Sequence, residues 1–423
     1  MTPLTATVSK EVFLRMPNDM PETGIDSEYH STLTAIIGKI GDILSRPAKY
    51  GAELLGHALF HLTPGKSNNH FAIIKIALKF SFGTIGLTLA IASSPAIAVG
   101  MLLKTVVSFD LKNIQMSINE TILQKTLKVG EETTFSSYNT GLMCGLFSNV
   151  NQTRNPEERS REIASKYGEK DRTYGVASFQ EVLDKKARSI LCNTLSSKYR
   201  YVMHNAFPTE WGLDAGLVMA TNFKPVAVMG IRFTNGSGDD SMMNKGAIIT
   251  CLQVDTNKYI LVANTHLQAK DDAEGSDFYT NKRKAQLTSI KNKMKDFKTK
   301  LEKEGYNIGS SIVMGDLNMS SEAVKATGNL DSVNDIRDSS FYDLEHENST
   351  WGSETINWNK NVSLGESLDY CHPVDGLRSE ASDFTLKHTK EVVEDFVTPD
   401  TAHSGSSDHL PLLTTFKALS FSG

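Results

Sequence analysis

Hydrophobic residues along this chain follow two patterns, and the pattern changes near residue 133. Before that point apolar residues recur at helical spacing, for example at Ile36 and Ile40 within residues 33–62. After it, short apolar runs that end in glycine or polar residues alternate with charged helical stretches. This alternation predicts a large mixed domain of strands and helices over residues 133–423.

The region ahead of this domain predicts contact with a membrane. Residues 1–70 are a polar start followed by amphipathic helices, with no basic start and apolar core of a conventional secretory signal. Residues 71–109 contain the charge-free run 80–103, and crossing a bilayer needs about 20 apolar residues. One transmembrane helix, an in-plane hairpin that turns near Pro95 and a buried soluble hairpin all stay open. We expect membrane association, with an α-helical, apolar N-terminal region.

A polar connector separates this apolar region from the large domain. Ile114, Ile118 and Ile122 recur at helical spacing, which predicts a helix inside the connector. The sequence therefore predicts four successive regions, which are residues 1–70, 71–109, 110–132 and 133–423.

Composition limits the classes of protein to consider. A chain of 423 residues with 39% hydrophobic and 22% charged residues describes a globular protein larger than one typical domain. Its net charge of −5 provides no general basic field, which counts against nucleic acid as a partner. The four cysteines lie far apart without a CxxC pair, so they indicate neither a zinc site nor a disulfide framework.

Polar side chains that suit phosphate chemistry follow the ends of predicted strands. Asp316 and Asn318 stand two apart after the apolar run 311–314, so a carboxylate and a carboxamide can converge on one phosphate. Glu181 is the next-to-last residue of the apolar stretch 175–182, and a carboxylate there is costly unless it is paired or binds a hard cation. Each signal alone also permits a structural role, as a turn residue or at a helix N-terminus.

Two histidines and their neighbours add the parts of a general base. His266 lies just past a strand end and is well placed to donate to a phosphate. His409 supplies an imidazole that a carboxylate could orient. Adjacent strand residues face opposite sides, so Asp369 from a neighbouring strand suits His409 better than Asp408, which is left to approach a metal. Asn139 ends another strand and could be either a cap or a ligand.

In this order, the segments YN, QE, NTH, GDLN, LDY and SDH resemble the endonuclease/exonuclease/phosphatase superfamily across residues 133–423. The resemblance implies a four-layer α/β/β/α sandwich, with two mostly antiparallel sheets packed face to face and helices outside. It also implies an active site at the rim of the sheets that uses Mg²⁺, with Mn²⁺ or another divalent cation as an alternative.

The resemblance further assigns roles around the metal and the attacking water. Asn139 and Glu181 would serve the metal, and Asp408 would assist near it. Asp316 would orient the water.

The remaining roles concern the phosphorus and the proton. Asn318 and His266 would steady the pentacovalent phosphorus. The pair of Asp369 and His409 would act as the general base.

Other segments are similar to neutral sphingomyelinases, which cleave sphingomyelin to ceramide and phosphocholine. These segments are THLQAKD with Arg283 and Gln286 after it, NKGAIITCLQV, GLVMATNFKPV and NSTW. The apolar segment ahead of the catalytic domain also resembles the membrane-bound members. The resemblance implies a phosphodiesterase acting on sphingomyelin or a related choline phospholipid at a membrane, and nucleic acid is not expected as a partner.

Two departures from that branch concern membrane contact and a strand. Thr221 stands where the branch has the serine of its Ser-x-x-Pro segment, and residues 397–407 are polar where secreted bacterial sphingomyelinases carry an aromatic hairpin. Residues 71–109 would have to replace that hairpin. A nuclease, a phosphoinositide phosphatase and a catalytically inactive membrane scaffold stay open as alternatives.

Overall fold

The computed structural model describes part of the chain. The described residues are 8–15, 114–143, 155–169, 174–204, 214–233, 243–269, 276–319, 324, 327, 369–374, 377, 384–393, 409 and 411–420. The predicted N-terminal helices, the apolar run 80–103 and Asp408 lie outside these residues. Within the described ranges, no helix is both long and apolar enough to cross a membrane. The chain divides into two compact units, and the site lies in the unit made of Met1–Gly24, Asn113–Leu142 and Glu157–Gly423.

Strands dominate the described residues. In chain order they are β1 (Val8–Arg15), β2 (Gln115–Ile118), β3 (Glu132–Leu142), β4 (Val176–Val182), β5 (Tyr201–His204), β6 (Val218–Thr221), β7 (Lys224–Phe233), β8 (Gly246–Asp255), β9 (Lys258–His266), β10 (Ile308–Asp316), β11 (Asp369–Pro373), β12 (Phe384–Val393) and β13 (Leu412–Ser420). The helices are α1 (Pro156–Tyr167), α2 (Lys185–Leu195) and α3 (Ser276–Lys303).

The strands form two sheets. The first sheet has the order β1-β7-β8-β9-β10-β11, and the second has the order β12-β13-β3-β4-β6-β5-β2. The neighbours β9 and β10 are parallel, as are β3 and β4, and the other pairs with a recorded register are antiparallel. The predicted fold class, a mixed α/β protein with two mostly antiparallel sheets, is confirmed.

Helices cover the outer face of each sheet. On α3, Leu287, Ile290 and Met294 recur at helical spacing and join one buried cluster with Ile249 and Leu261 of the first sheet. Because alternate strand residues face opposite sides, the intervening residues of these strands face the other sheet.

The second sheet is covered in the same way. Ile163 of α1 and Leu191 of α2 belong to a buried cluster with Phe179 and Val202. With the sheets in contact through β3, β4, β9 and β10, the layers run α/β/β/α.

Polar side chains join the two sheets near one rim. Asn264 of β9 donates through Nδ2 to the carbonyl oxygens of Phe179 (3.2 Å) and Val218 (2.9 Å) in the second sheet. Gln180 of β4 donates through Nε2 to Asn264 Oδ1 at 2.8 Å. A buried network of this kind favours one alignment of the two sheets.

The predicted helix of the connector is wrong. Residues Gln115–Ile118 form β2, an edge strand that pairs antiparallel with β5. The alternation of buried Ile114 and Met116 with exposed neighbours is a strand pattern, and Ile118 is 38% exposed and does not continue a helical apolar face. Strands β1 and β2 thus pair with the sheets although both lie ahead of residue 133.

Candidate active site

The strand ends bring the candidate residues to one rim. In the register of the first sheet, Asp316 at the end of β10 pairs with His266 at the end of β9 and with Asp369 at the start of β11. In the second sheet, Asn139 of β3 pairs with Gln180, next to Glu181. Parallel neighbours end at the same side of a sheet, so two parallel pairs gather these residues together.

Asp316 lies at the centre of this cluster and is 1% exposed. Its Oδ2 accepts a hydrogen bond from Asn139 Nδ2 at 2.8 Å. The Nε2 atoms of His266 and His409 lie 3.6 and 3.7 Å from the same oxygen. The other carboxylate oxygen, Oδ1, accepts the backbone N–H of Asn318 at 2.8 Å. Asp316 therefore presents one oxygen to both imidazoles while a turn fixes the other.

One flank of the cluster, here called the histidine side, consists of Lys245, His266 and Asn318. Lys245 is 4% exposed, and its ammonium lies 3.1 Å from His266 Nε2 and donates to the carbonyl oxygen of Leu267 at 2.7 Å. Asn318 Nδ2 donates to the same carbonyl oxygen at 3.2 Å. A single backbone carbonyl thus holds two donors beside His266, where they can meet a phosphate.

The environment of His266 keeps its imidazole neutral. Burial, and then the positive charges of Lys245 and His409, hold the pKa of His266 well below its usual range. Because an ammonium can only donate, Nε2 accepts from Lys245 and the proton resides on Nδ1. The 3.6 Å contacts of His266 with Glu181 and Asp316 are therefore not ion pairs.

The other flank, here called the glutamate side, consists of Asn139 and Glu181. The Glu181 side chain is 16% exposed, and its Oε1 lies 3.6 Å from His266 Nε2. Its backbone has a φ of 55°, a left-handed conformation that is uncommon for a residue other than glycine. Asn139 also lies 3.4 Å from His409 Nε2 and accepts the backbone N–H of Gly141 at 3.1 Å.

The donor set of the rim fits a hard divalent cation. Glu181 and Asp316 bring two carboxylates to one cluster, where the single ammonium of Lys245 balances only one of their charges. In the described part of the chain, no group of three or more His, Cys, Asp and Glu residues could hold a metal ion. Mg²⁺, however, usually keeps several waters and is bound by one or two carboxylates together with substrate phosphate. Glu181 with a neighbouring amide is such a set.

Two predicted site residues are described incompletely. The backbone of Asp369 begins β11 opposite Asp316, while its side chain and all of Asp408 lie outside the described residues. The pairing of Asp369 with His409 and the approach of Asp408 to a metal stay predictions.

The loop after His266 is fixed by helix α3. Gln286 Oε1 accepts the backbone N–H of Gln268 at 3.0 Å, and Arg283 Nη1 donates to the Gln268 carbonyl oxygen at 3.3 Å. Gly315, ahead of Asp316, has a φ of 140°, and a Cβ there would lie 1.9 Å from the Thr265 carbonyl oxygen. Glycine at this position therefore allows β9 and β10 to approach each other beside the site.

The sandwich and the cluster at its rim define a protein of the endonuclease/exonuclease/phosphatase class. Residues 136–348 match the family described as Endonuclease/Exonuclease/phosphatase family 2. Because this match covers half of the chain, the protein belongs to that family.

Individual proteins are similar to this chain. Sphingomyelinase C of Bacillus cereus is 25% identical over 252 residues, which are 54% of this chain and 71% of that protein. An uncharacterised protein of Dictyostelium discoideum is 30% identical over 168 residues, 35% of this chain, and the chain spans only 14% of its length. A Staphylococcus aureus beta toxin variant solved with bound magnesium ions is 20% identical, with a TM-score of 0.50 and coverage of 67% of this chain and 99% of that one; it shows the fold.

The family and the sphingomyelinase relative support a hydrolase of phosphoesters. The sequence patterns indicate the carboxylates, amides and histidines of the rim but not Lys245 as a site residue. Its signal was a lysine directly ahead of an apolar strand, which equally suits an exposed turn.

Proposed function

We propose that this protein is a divalent-cation-dependent phosphodiesterase that hydrolyses sphingomyelin, or a related choline phospholipid, to ceramide and phosphocholine at a membrane. The observation that carries the proposal is the convergence of Asp316 Oδ2 with Asn139, His266 and His409 at one rim. That convergence supplies an acceptor, two imidazoles and an amide donor for the reaction of a phosphodiester.

Each residue of the cluster has its own role in an in-line displacement at phosphorus. His409 accepts a proton from the attacking water, and Asp316, 3.7 Å from its Nε2, orients that water. Lys245 and Asn318, held on the Leu267 carbonyl, donate to the phosphoryl oxygens as negative charge develops. Neutral His266 accepts from the Lys245 ammonium through Nε2 and so orients that donor without adding charge.

Glu181, with Asn139 beside it, is the proposed holder of Mg²⁺. When bound, the cation would supply Lewis-acid stabilisation of negative charge on the phosphate. The glutamate side would therefore hold the cation, and the histidine side would donate to the phosphoryl oxygens.

The choice of a choline phospholipid is supported by the relative and by charge. The relative from Bacillus cereus is named a sphingomyelinase C, and the segments GLVMATNFKPV and NKGAIITCLQV of the neutral sphingomyelinase resemblance run through β6, β7 and β8. A zwitterionic headgroup needs no strongly basic groove, which agrees with a net charge of −5. Tethering by residues 71–109 would raise the effective concentration of the enzyme at its substrate.

The test is phosphocholine release from sphingomyelin liposomes by the full chain, with added Mg²⁺ and with a chelator. We expect release that requires Mg²⁺ and is lost in His409→Ala. His388→Gln is the matched control, because His388 is similarly buried but contacts the rings of His372 and Phe416. Cosedimentation of the full chain with the same liposomes measures membrane association.

The outcomes separate the alternatives. Release from lysophosphatidylcholine in place of sphingomyelin would keep the reaction and change the lipid. Cleavage of DNA or of a phosphoinositide, with no release from any choline lipid, would contradict the proposed substrate. A chain that cosediments and binds Mg²⁺ but cleaves none of these substrates would indicate an inactive scaffold.

A further inference from the structure

Strands β3 and β4 lose their regular register beside Glu181. The paired residues on either side of the irregularity are Asn139 with Gln180 and Leu142 with Val182. Thr140 and Gly141 therefore stand opposite the single residue Glu181, as in a β-bulge. A bulge bends the strand and changes the direction of a side chain. Here the left-handed backbones of Gly141 (φ 54°) and Glu181 (φ 55°) mark that change.

A buried arginine closes this bulge from the helix layer. Arg159 lies on α1 and is 0% exposed. Its Nη2 donates to the carbonyl oxygen of Gly141 and, at 3.4 Å, to that of Thr140. Buried carbonyls that leave a ladder need another donor, and a guanidinium carries several in one rigid plane. Arg159 supplies that donor at the two bulge residues.

Further hydrogen bonds connect the bulge to the side chains of the site. Thr140 Oγ1 donates to the Gln180 carbonyl oxygen at 2.8 Å. The Gly141 N–H donates to Asn139 Oδ1 at 3.1 Å. The position of the bulge is thus transmitted to the side chain of Asn139 and to the peptide directly ahead of Glu181.

A second buried arginine fixes the opposite side of Glu181. Arg188 of α2 forms a buried ion pair with Asp214, whose Oδ1 accepts the Gly216 N–H at 2.8 Å. The Gly216 carbonyl oxygen in turn accepts the Val182 N–H at 2.9 Å. The residues before and after Glu181 are therefore both tied to the outer helices.

We propose that Arg159 is a positioning residue of the cation site: by holding the Thr140–Gly141 bulge it sets the direction in which Asn139 and Glu181 present their oxygens. Unfavourable backbone conformations persist where the surroundings fix them, and here the guanidinium of Arg159 fixes them through the carbonyl oxygens of Thr140 and Gly141. The proposal rests on the proposed function, because it takes Glu181 as the holder of a divalent cation.

The test is calorimetric titration of the full chain with Mg²⁺, independent of any substrate. Removing groups that orient metal ligands typically weakens metal affinity by about 10- to 100-fold. We expect a loss in this range for Arg159→Met and a smaller loss for Arg159→Lys, which keeps one donor group. Thr140→Val, which removes only the bond to Gln180, should weaken binding several-fold.

The control separates positioning from general destabilisation. Tyr167→Phe, on the same helix, removes a fully buried hydrogen bond to Ser136 at 2.5 Å, away from the bulge. It should lower the unfolding midpoint without changing Mg²⁺ affinity. If Arg159→Met does not fold, Arg159→Lys and Thr140→Val decide the question.

The outcomes are distinguishable from a failure of the proposed function. No Mg²⁺ binding by the wild-type chain, or binding that Glu181→Gln leaves unchanged, would contradict the proposed cation site itself. Wild-type binding through Glu181 that stays equally tight in the folded Arg159 and Thr140 variants would overturn the positioning role alone. An affinity loss in Tyr167→Phe as large as in Arg159→Met would overturn it as well.

Discussion

Glu181 and Asn318 both have a left-handed backbone, with φ angles of 55° and 51°, but the chain stabilises them differently. Asn318 needs little support, because asparagine adopts this conformation readily and its N–H donates to Asp316 Oδ1 at 2.8 Å. Glu181 depends on a bulge in the neighbouring strand and on arginines from two helices.

The two sides of the site are therefore stabilised in different ways. The histidine side is held by side chains that meet at the Leu267 carbonyl, so its geometry is local to the rim. The glutamate side depends on residues of the outer helix layer, so its geometry belongs to the fold. Substitutions on the histidine side should therefore alter catalysis with little effect on cation affinity, and those behind Glu181 should alter cation affinity first.

The largest effect is expected where the two sides meet. Asp316→Asn keeps the size of the side chain but removes the carboxylate that lies 3.6 and 3.7 Å from the two imidazoles. General acid–base groups typically contribute about 10²–10⁴-fold, and we expect kcat for phosphocholine release to fall about a thousandfold. Asp296→Asn, an exposed carboxylate on α3, is the control and should match the wild type. A loss below tenfold for Asp316→Asn would contradict its central role.

A smaller loss of kcat, without a loss of Mg²⁺ affinity, should distinguish the histidine side from the glutamate side. Lys245→Met removes the ammonium beside His266 and keeps the apolar stem. Losing one preorganised donor costs about 10²–10³-fold in kcat, and we expect about a hundredfold. Mg²⁺ affinity should stay within about threefold of the wild type, unlike Arg159→Met with its expected loss of about 10- to 100-fold. Equal losses of Mg²⁺ affinity in both variants would show that the two sides are not separate.

The sequence predicts the site residues at the rim better than it predicts the buried residues that support them. Asp316, Glu181 and His266 follow apolar runs, so local patterns alone place them at strand ends, and their order along the chain carries the family resemblance. Arg159 carries no such pattern. A single charged residue in a charged helix usually faces solvent, and only the fold shows that it lies buried against a bulge.

The same limit explains the two other misses. Lys245 reaches the site because β8 and β9 pair antiparallel, and a lysine ahead of a strand gives no sign of burial. The sequence predicts a helix in the connector because Ile114, Ile118 and Ile122 coincide with a 3.6-residue period. Pairing of Gln115–Ile118 with β5 overrides that coincidence, since a short segment adopts the structure its tertiary partners select.

A third, smaller effect is expected on stability when the left-handed residues Glu181 and Asn318 are replaced by glycine. A left-handed conformation costs about 1–2 kcal/mol for most residues, and glycine at such a position costs little apart from the greater freedom of the unfolded chain. We expect Glu181→Gly to raise the free energy of unfolding of the metal-free protein by about 1 kcal/mol, measured by urea denaturation, while it abolishes Mg²⁺ binding. Asn318→Gly should change that free energy by less than about 0.5 kcal/mol. Destabilisation by Glu181→Gly would show that its backbone is not strained.

The smallest effect concerns the proton of His266. Its pKa lies well below the ordinary value of 6.5 because of burial and the charges of Lys245 and His409. Between 6.5 and the lowered native pKa the unfolded chain binds a proton that the native protein does not. The contribution of His266 to stability therefore falls as pH drops below about 6.5 and is constant above it. Histidine NMR titration of the metal-free protein should show a neutral His266 at pH 6.5, with a higher pKa in Lys245→Met, since that variant removes one of the charges. A wild-type His266 that titrates at or above 6.5 would contradict the neutral imidazole on which the donor geometry of the histidine side depends.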